Sequence, residues 1–209
     1  MVIKSNTVAL AIVIFGILFI NSGCHKSFCT PHHYNFSINN TIFYPELDSM
    51  AVGDTLFFKS ETPTNLINIA DGKAIDYGKA SNFGSIIGFT ELVGLNQTNG
   101  AVDDFIIISN KGKIYTDNSV PSPDRVKQAI FAEENGEYLL SFAVIPQKKG
   151  IYALGTGDMP DVVKNCDRSA ISMKITNVDP HLHYIKDIYY GGGPINPLDS
   201  THSYCFKVY

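Results

Sequence analysis

The sequence predicts a mainly β protein, an antiparallel sandwich or barrel with one short helix near the C-terminal end. Short segments alternate apolar and polar residues at period two, which is the pattern of half-buried strands. Turn-forming Asn-Gly and Asp-Gly pairs separate several of these segments. The 209 residues include 13 Phe and 11 Tyr, which is too aromatic for a disordered chain and enough to fill a substantial core.

The strand predictions follow this alternation along the chain. In residues 34–38, Tyr34, Phe36 and Ile38 fall on one face of a strand. Many short strands with frequent turns indicate two packed sheets or a closed barrel. The other predicted strands are residues 55–60, 67–69, 74–75, 86–95, 105–109, 126–133, 138–145, 151–154, 171–175 and 204–208.

Two glycine pairs predict tight hairpins. Asn135-Gly136 and Asp71-Gly72 each lie between two predicted strands. A two-residue turn of the primed type needs positive φ, which Gly adopts without steric cost. We therefore expect a two-residue turn at each pair, with the stronger signal at Asn135-Gly136.

One C-terminal segment departs from the strand pattern and predicts a helix over residues 180–190. Asp179 is a suitable N-cap, and Pro180 suits the first helical position because its missing N–H is not needed there. Apolar residues then recur at spacings of three and four, and Gly191 can end the helix.

The N-terminal residues predict export and lipid anchoring. Residues 8–20 are almost entirely apolar after a single basic residue, Lys4. As a helix they would rise about 20 Å, short of the ~30 Å hydrocarbon core, which favours a signal peptide over a spanning helix. The run ends at Ser22-Gly23-Cys24, which resembles a bacterial lipoprotein processing site. An ordinary cleaved signal or an uncleaved anchor remains the alternative.

This interpretation divides the chain into a signal peptide (1–23), a lipidated tether (24–33) and one β-sandwich domain (34–209). Cys24 would carry the acyl chains that hold the protein to the membrane. The residue after Cys24 is His25 rather than Asp, which by sorting analogy predicts the outer membrane. Since no acidic run follows Cys24, a periplasm-facing domain is favoured over a surface-exposed one.

Several stretches of the chain resemble a group of Bacteroidota-type lipoproteins that has no assigned activity. They are residues 48–63, Gly94-Leu95-Asn96-Gln97, residues 134–150 and Tyr204-Cys205-Phe206-Lys207-Val208. The resemblance implies an immunoglobulin-like sandwich and an envelope location, and it carries over no functional residue. Within it, Asn135-Gly136-Glu137-Tyr138 looks like a tyrosine corner.

No residue stands out as catalytic or metal-binding, and no cofactor is indicated. His181 and His183 are two apart on a predicted helix, so their rings diverge, and both are interpreted as surface histidines. The run Gly191-Gly192-Gly193 follows a helix, whereas a phosphate-binding loop precedes one. A formal net charge of −4 also argues against a nucleic-acid partner.

The four cysteines lack a Cys-x-x-Cys pair, which argues against a zinc ribbon. An exported location favours a disulfide among Cys29, Cys166 and Cys205. If the strands near Cys166 and Cys205 are neighbours, a bridge between these two would fix the C-terminal strand. A pairing that uses Cys29, or free buried thiols, remains open.

These features favour a non-catalytic binding or structural module that is anchored to the membrane and presents a surface to an envelope protein or a glycan. Tyr115, Tyr189 and Tyr190 are the candidate binding residues, because aromatic rings can stack on sugars. The alternative is an envelope enzyme of hydrolase type whose site is assembled from distant residues.

The lipoprotein interpretation predicts the outcome of changing Cys24→Ala. Without the thiol no thioether to diacylglycerol can form, so the variant should lose labelling by fatty acid and accumulate as an unprocessed precursor. Metabolic labelling of the wild type and the variant measures this. A wild-type protein that takes up no labelled fatty acid would contradict the interpretation.

Overall fold

The computed structural model of the protein describes residues 29–118, 122–178 and 181–209. Strands hold 57% of the described residues and helices 9%, so the fold is mainly β as predicted. Residues 31–209 form one compact unit. The signal peptide, the lipidation site at Cys24 and the expected cap at Asp179-Pro180 lie outside the described residues.

The strands form two seven-stranded sheets and one hairpin. In chain order they are β1 (His33–Tyr44), β2 (Ser49–Met50), β3 (Leu56–Pro63), β4 (Asn65–Ile67), β5 (Ala74–Asp76), β6 (Gly84–Gly94), β7 (Gln97–Gly100), β8 (Phe105–Lys111), β9 (Lys113–Tyr115), β10 (Val126–Ile130), β11 (Ala132–Glu134), β12 (Glu137–Pro146), β13 (Gly150–Gly157), β14 (Met159–Lys164), β15 (Asp167–Ile175) and β16 (Ser203–Val208).

The first sheet has the order β11-β12-β3-β1-β15-β14, with β8 also paired to β12. The second has the order β2-β16-β13-β6-β10-β9, with β7 also paired to β6, and β4 pairs with β5. Both sheets are mixed, because β1 pairs with β15, and β2 with β16, in parallel. The antiparallel prediction is therefore wrong for these pairs. Turn signals report only neighbours in the chain, whereas parallel strands are joined by long connections.

The facing sides of the two large sheets share one aromatic core. Strand β12 shows how the sequence builds it, since alternate residues from Tyr138 to Pro146 are buried. The ring of Tyr138 stacks on Phe83, which directly precedes β6 of the second sheet, with centroids 3.7 Å apart. The Tyr138 hydroxyl donates to the Tyr77 carbonyl at 2.7 Å and accepts from the Ala80 amide at 3.2 Å. These partners lie far upstream, so Tyr138 does not make the local bond of a tyrosine corner.

The predicted C-terminal helix is present between residues 182 and 189. It consists of α1 (Leu182–Tyr184), which continues as a π-helical turn, Ile185–Tyr189. A further short helix, α2 (Asp199–His202), was not predicted, because four residues carry no helical periodicity. Within the described residues, no helix has the length and apolar character needed to cross a bilayer.

The hairpin at Asn135-Gly136 is confirmed. The two residues have φ of 51° and 82°, and the flanking Glu134 and Glu137 are paired, as a primed two-residue turn requires. At Asp71-Gly72 the two-residue prediction is wrong, since the loop between β4 and β5 spans residues 68–73. Within this wider loop, the side-chain amide of Asn68 donates a hydrogen bond to the Asp71 carboxylate at 2.7 Å.

The predicted disulfide between Cys166 and Cys205 is wrong. Cys166 is bonded to Cys29, and Cys205 is a buried free thiol. The physical reason is that β15, which follows Cys166, belongs to the first sheet, whereas Cys205 lies on β16 of the second sheet opposite Ala153. Burial raises the pKa of the Cys205 thiol to about 12, so this thiol is unreactive.

The turn at Gly136 provides a test of the fold. Gly136→Val should lower the free energy of unfolding by about 1–2 kcal/mol, because a β-branched residue resists positive φ. Space is not the cause, since nothing lies within 4 Å of a Cβ built at Gly136. Gly94→Val is the matched control, because Gly94 has ordinary φ and its nearest contact is 3.7 Å away. Equal denaturant midpoints for the two variants would contradict the turn.

The cysteine arrangement predicts a peptide map of the exported protein. Without reductant, digestion should release a linked Cys29–Cys166 peptide. An alkylating reagent should modify Cys205 only after denaturation, because the native thiol is buried and protonated. A linked Cys166–Cys205 peptide, or alkylation of Cys166 without reductant, would contradict the arrangement.

Candidate functional site

The three tyrosines predicted as binding residues all lie on the outer side of the second sheet. Tyr189 and Tyr190 end the helical turn over this face, with their ring centroids 5.0 Å apart and the rings nearly perpendicular. Tyr115 lies on the edge strand β9, where its neighbour Ile114 packs against the core, so Tyr115 points outward. Its hydroxyl donates to Gln128 at 2.6 Å. The structure therefore brings Tyr189 and Tyr190 together and leaves Tyr115 apart.

Tyr189 and Tyr190 line a cavity of about 320 Å³, here called the tyrosine cavity. It lies between residues 181–202, here called the C-terminal segment, and the outward face of β6, β7, β13 and β16. Its walls combine aliphatic carbons, two phenol rings and short polar side chains. The lining residues are Thr90, Leu92, Thr98, Ala153, Ile185, Tyr189, Tyr190, Asn196, Asp199 and Ser203.

Small side chains on paired strands make the floor of the tyrosine cavity. Thr90 of β6 is opposite Ala153 of β13, and Ala153 is opposite Cys205 of β16. Alternation directs these three residues outward while their neighbours fill the core. Ile185 and Leu92 pack with Ala153 and Cys205 in a second apolar cluster, and this cluster seats the helical turn on the sheet.

Hydrogen bonds fix the polar groups of the tyrosine cavity. The Tyr190 hydroxyl donates to Asp199 Oδ2 at 2.5 Å, and this bond raises the pKa of Tyr190. The Asn196 side-chain oxygen accepts from the Leu198 amide at 2.9 Å. The Arg125 guanidinium donates to both the hydroxyl and the carbonyl of Thr98, each at 2.9 Å. The cavity therefore presents an oriented carboxylate, an amide and hydroxyls beside two rings.

A smaller cavity of about 220 Å³, here called the histidine cavity, shares Asp199 and Ser203 with the first. His202 lines it, and His202 Nδ1 lies 3.0 Å from the Leu198 carbonyl oxygen. On the other side of the ring, His202 Nε2 lies 3.4 Å from Ser172 Oγ. That separation is at the long limit for a hydrogen bond, so the serine and histidine are neighbours rather than a tightly bonded pair.

The two histidines of the predicted helix have different environments. His183 is half exposed, with its Nε2 3.4 Å from Asp48 Oδ1. His181 is only 2% exposed, so the interpretation as a surface histidine is wrong for this residue. The sequence gives no sign of this burial, which arises because the His181 ring packs on Tyr204 at 4.1 Å. Among the described residues, no group of three or more His, Cys, Asp or Glu side chains is arranged to hold a metal ion.

The sequence interpretation missed the polar partners of the two tyrosines. These partners are Thr90, Thr98, Asn196, Asp199 and Ser203. They come from separate strands and a loop, so only the register of β6, β7, β13 and β16 brings them together.

A second outward aromatic pair was also missed. Tyr44 and Phe57 stack on the first sheet at 5.3 Å, and each is 40% exposed. In β3 successive side chains point to opposite faces, and Leu56 and Phe58 are buried, so Phe57 between them must point outward. This alternation could have identified Phe57 from the sequence.

Comparison with known proteins gives little guidance. No family model and no curated protein matches the chain. Among solved structures, the chain has a likeness to the crystal structure of the CupB6 tip adhesin from Pseudomonas aeruginosa, with a TM-score of 0.23 and 14% sequence identity. The likeness covers 71% of this chain and 42% of the adhesin chain, so this chain spans less than half of the adhesin. A TM-score of this size supports no argument about fold or function.

Proposed function

We propose that the protein is a lipid-anchored, non-catalytic binding module that holds a neutral glycan in the tyrosine cavity. The observation that carries the proposal is the pairing of two phenol rings with oriented polar groups in one concave site on the outer face of a sheet. Its volume of about 320 Å³ is at the lower end of ligand sites, which suits a short stretch of sugar rather than a large cofactor.

The aromatic part of the cavity suits the apolar face of a sugar ring. Tyr189 and Tyr190 lie nearly perpendicular to each other, so a ring stacked on one phenol would meet the edge of the other. A tyrosine provides apolar area together with a hydroxyl that can bond to the ligand. Aliphatic atoms of Ile185 and Leu92 extend this apolar wall.

The polar part suits hydroxyl groups without formal charge. Thr90, Thr98 and Ser203 can each donate and accept, and Asn196 offers both functions in one amide. Of the described residues, Asp199 is the only charged one that lines the tyrosine cavity, and a carboxylate accepts strong hydrogen bonds from sugar hydroxyls. The same carboxylate would repel an anionic polymer, so a neutral glycan is favoured over an acidic one.

The rest of the proposal follows from the sequence. Lipidation of Cys24 would hold the domain at the outer membrane, facing the periplasm, without any contribution from the β-sheets. An immunoglobulin-like arrangement of the two sheets is part of the same proposal, and the shared core between facing sheets supports it.

A hydrolase is the second candidate, and one observation favours it. His202 and Ser172 come from distant parts of the chain and lie within 3.4 Å of each other, beside the histidine cavity. A serine nucleophile needs such a base. A serine–histidine pair acts on acyl bonds rather than glycosidic bonds, so hydrolysis of an ester such as p-nitrophenyl acetate that is lost in both Ser172→Ala and His202→Ala would favour this candidate over simple binding.

Titration with neutral oligosaccharides tests the binding proposal. Maltotetraose, cellotetraose, xylotetraose and chitotetraose would each be added to the protein while NMR shifts and calorimetric heats are recorded. We expect at least one to bind and to shift resonances of Tyr189 and Tyr190. Tyr190→Ala should weaken that binding by about tenfold or more, roughly 1.4 kcal/mol, because the ring and the orientation of Asp199 are both lost.

Two matched variants control for a general loss of aromatic surface. Tyr115→Ala removes an outward tyrosine at the far edge of the same sheet, and Tyr44→Ala removes one from the other sheet. Both should leave the affinity unchanged. The proposal fails if no oligosaccharide binds, or if Tyr190→Ala binds as well as the Tyr115→Ala control.

A further inference from the structure

His181 is a buried ionisable residue that the proposed binding reaction does not use. It stands directly before α1, and its ring packs at a tilt of 37° on Tyr204, which lies in the core between the two sheets. Its backbone amide donates to the Val178 carbonyl at 2.9 Å, so the chain is held at this point. The imidazole therefore closes the end of the core where the C-terminal segment begins.

Neither ring nitrogen of His181 makes a hydrogen bond of good geometry. The nearest carboxylate oxygen, Glu46 Oε1, lies 3.9 Å from Nε2, and Glu46 is half exposed to water. Buried polar atoms are almost always bonded, and each exception in a native structure needs an explanation. A neutral imidazole can remain here at a cost, whereas the carboxylate nearest to a charged one, that of Glu46, lies beyond hydrogen-bond distance.

The groups that face His181 come from three elements. The loop after β1 contributes Glu46 and Asp48, α1 contributes His183, and β16 contributes the Tyr204 ring and the backbone of Cys205. Burial lowers the pKa of His181 below its ordinary value of 6.5, and His183 acts in the same direction. The two carboxylates and the Cys205 backbone act in the opposite direction, but burial is the largest effect.

The same short segment carries the wall of the tyrosine cavity. Tyr189 lies eight positions after His181, and Ile185 between them packs on the outer face of the sheet. The Tyr189 carbonyl accepts a hydrogen bond from the Asn96 amide at 2.9 Å, and the Ile185 carbonyl accepts one from Tyr190 at 3.0 Å. If the His181 ring left its place against Tyr204, the segment that positions both phenol rings would therefore be held less firmly on the sheet.

We propose that His181 is a proton-operated latch that holds the C-terminal segment on the sheet when neutral and releases it when protonated. In its effect on glycan binding, the latch rests on the function proposed above. Acidification would open the tyrosine cavity and discharge its ligand, while neutral conditions would restore it.

The direction of the pH effect follows from the sign of the pKa shift. Because the pKa of His181 is lower in the docked segment than in the released one, the released form takes up the proton first. Docking is therefore fully stable above about pH 6.5 and weakens as the pH falls below that value. The exposed pair between His183 and Asp48 contributes little.

Hydrogen exchange of the full chain measures the latch without any ligand. The reporters are the amides of Asn96, Tyr190 and Gly192, all of which bond to carbonyls of the helical turn. Their protection factors, corrected for intrinsic exchange, should fall severalfold between about pH 7.5 and about pH 5. The amide of Phe142, in the core strand β12, should keep its protection over the same range.

His181→Phe should retain the stacking on Tyr204 and abolish this pH dependence, and His181→Gln should abolish it as well. His183→Gln is the matched control on the same segment, and it should respond to pH like the wild type. Constant wild-type protection of the three reporters would overturn the proposal. A pH response that survives in both His181 variants would also overturn it.

Oligosaccharide titration at the two pH values separates the latch from the binding function. Weaker binding of the oligosaccharide at the lower pH in the wild type, but not in His181→Phe, supports both. If the three reporters respond to pH as described but no oligosaccharide binds at either pH, the latch stands and the glycan proposal fails. If binding occurs with the same affinity at both pH values, the latch does not act on the cavity and the inference is overturned.

Discussion

The buried side chain of Tyr204 contacts four parts of the molecule at one place in the core. Its ring stacks on Phe43 of the first sheet at 4.8 Å and packs at a tilt on His181 at 4.1 Å. Its hydroxyl accepts from the Leu47 amide at 3.0 Å and donates to the Leu47 carbonyl at 3.2 Å. Since burial raises the pKa of Tyr204 to about 12, the hydroxyl remains protonated and keeps both bonds under physiological conditions. The two sheets, the loop after β1 and the start of the C-terminal segment thus meet at one phenol.

The alternation of a single strand connects this core to the candidate site. Tyr204 and Phe206 of β16 face inward, and Ser203 and Cys205 face outward to the cavity and to the cluster beneath α1. A bulky outward residue at position 205 would lift the helical turn from the sheet. The small side chains of β13 and β16 on this face are therefore a condition for the cavity, in the same way that the large inward ones are a condition for the core.

The sequence was sufficient wherever the deciding interaction is local. The positive φ values at Asn135-Gly136, the alternation of β12 and the position of the helical turn all depend on neighbouring residues. Contacts between distant residues could not be predicted, because register and sheet assignment decide them. Cys205 was paired with the wrong partner for this reason. Tyr189 and Tyr190 were identified as candidate binding residues, but Asp199 joins them only because the chain after the helix returns to β16.

His181 is the residue at which local prediction and structure disagree most, and the disagreement has a physical meaning. A phenylalanine would fill the same place on Tyr204 without leaving two ring nitrogens unbonded, and an unbonded buried polar group costs about 1–3 kcal/mol. Stacking on Tyr204 recovers about 0.5–1.5 kcal/mol, which an apolar ring would gain equally. Stability alone therefore does not account for an imidazole at this position. What distinguishes it from phenylalanine is the capacity to take up a proton, at the start of the segment that carries the two phenol rings of the cavity.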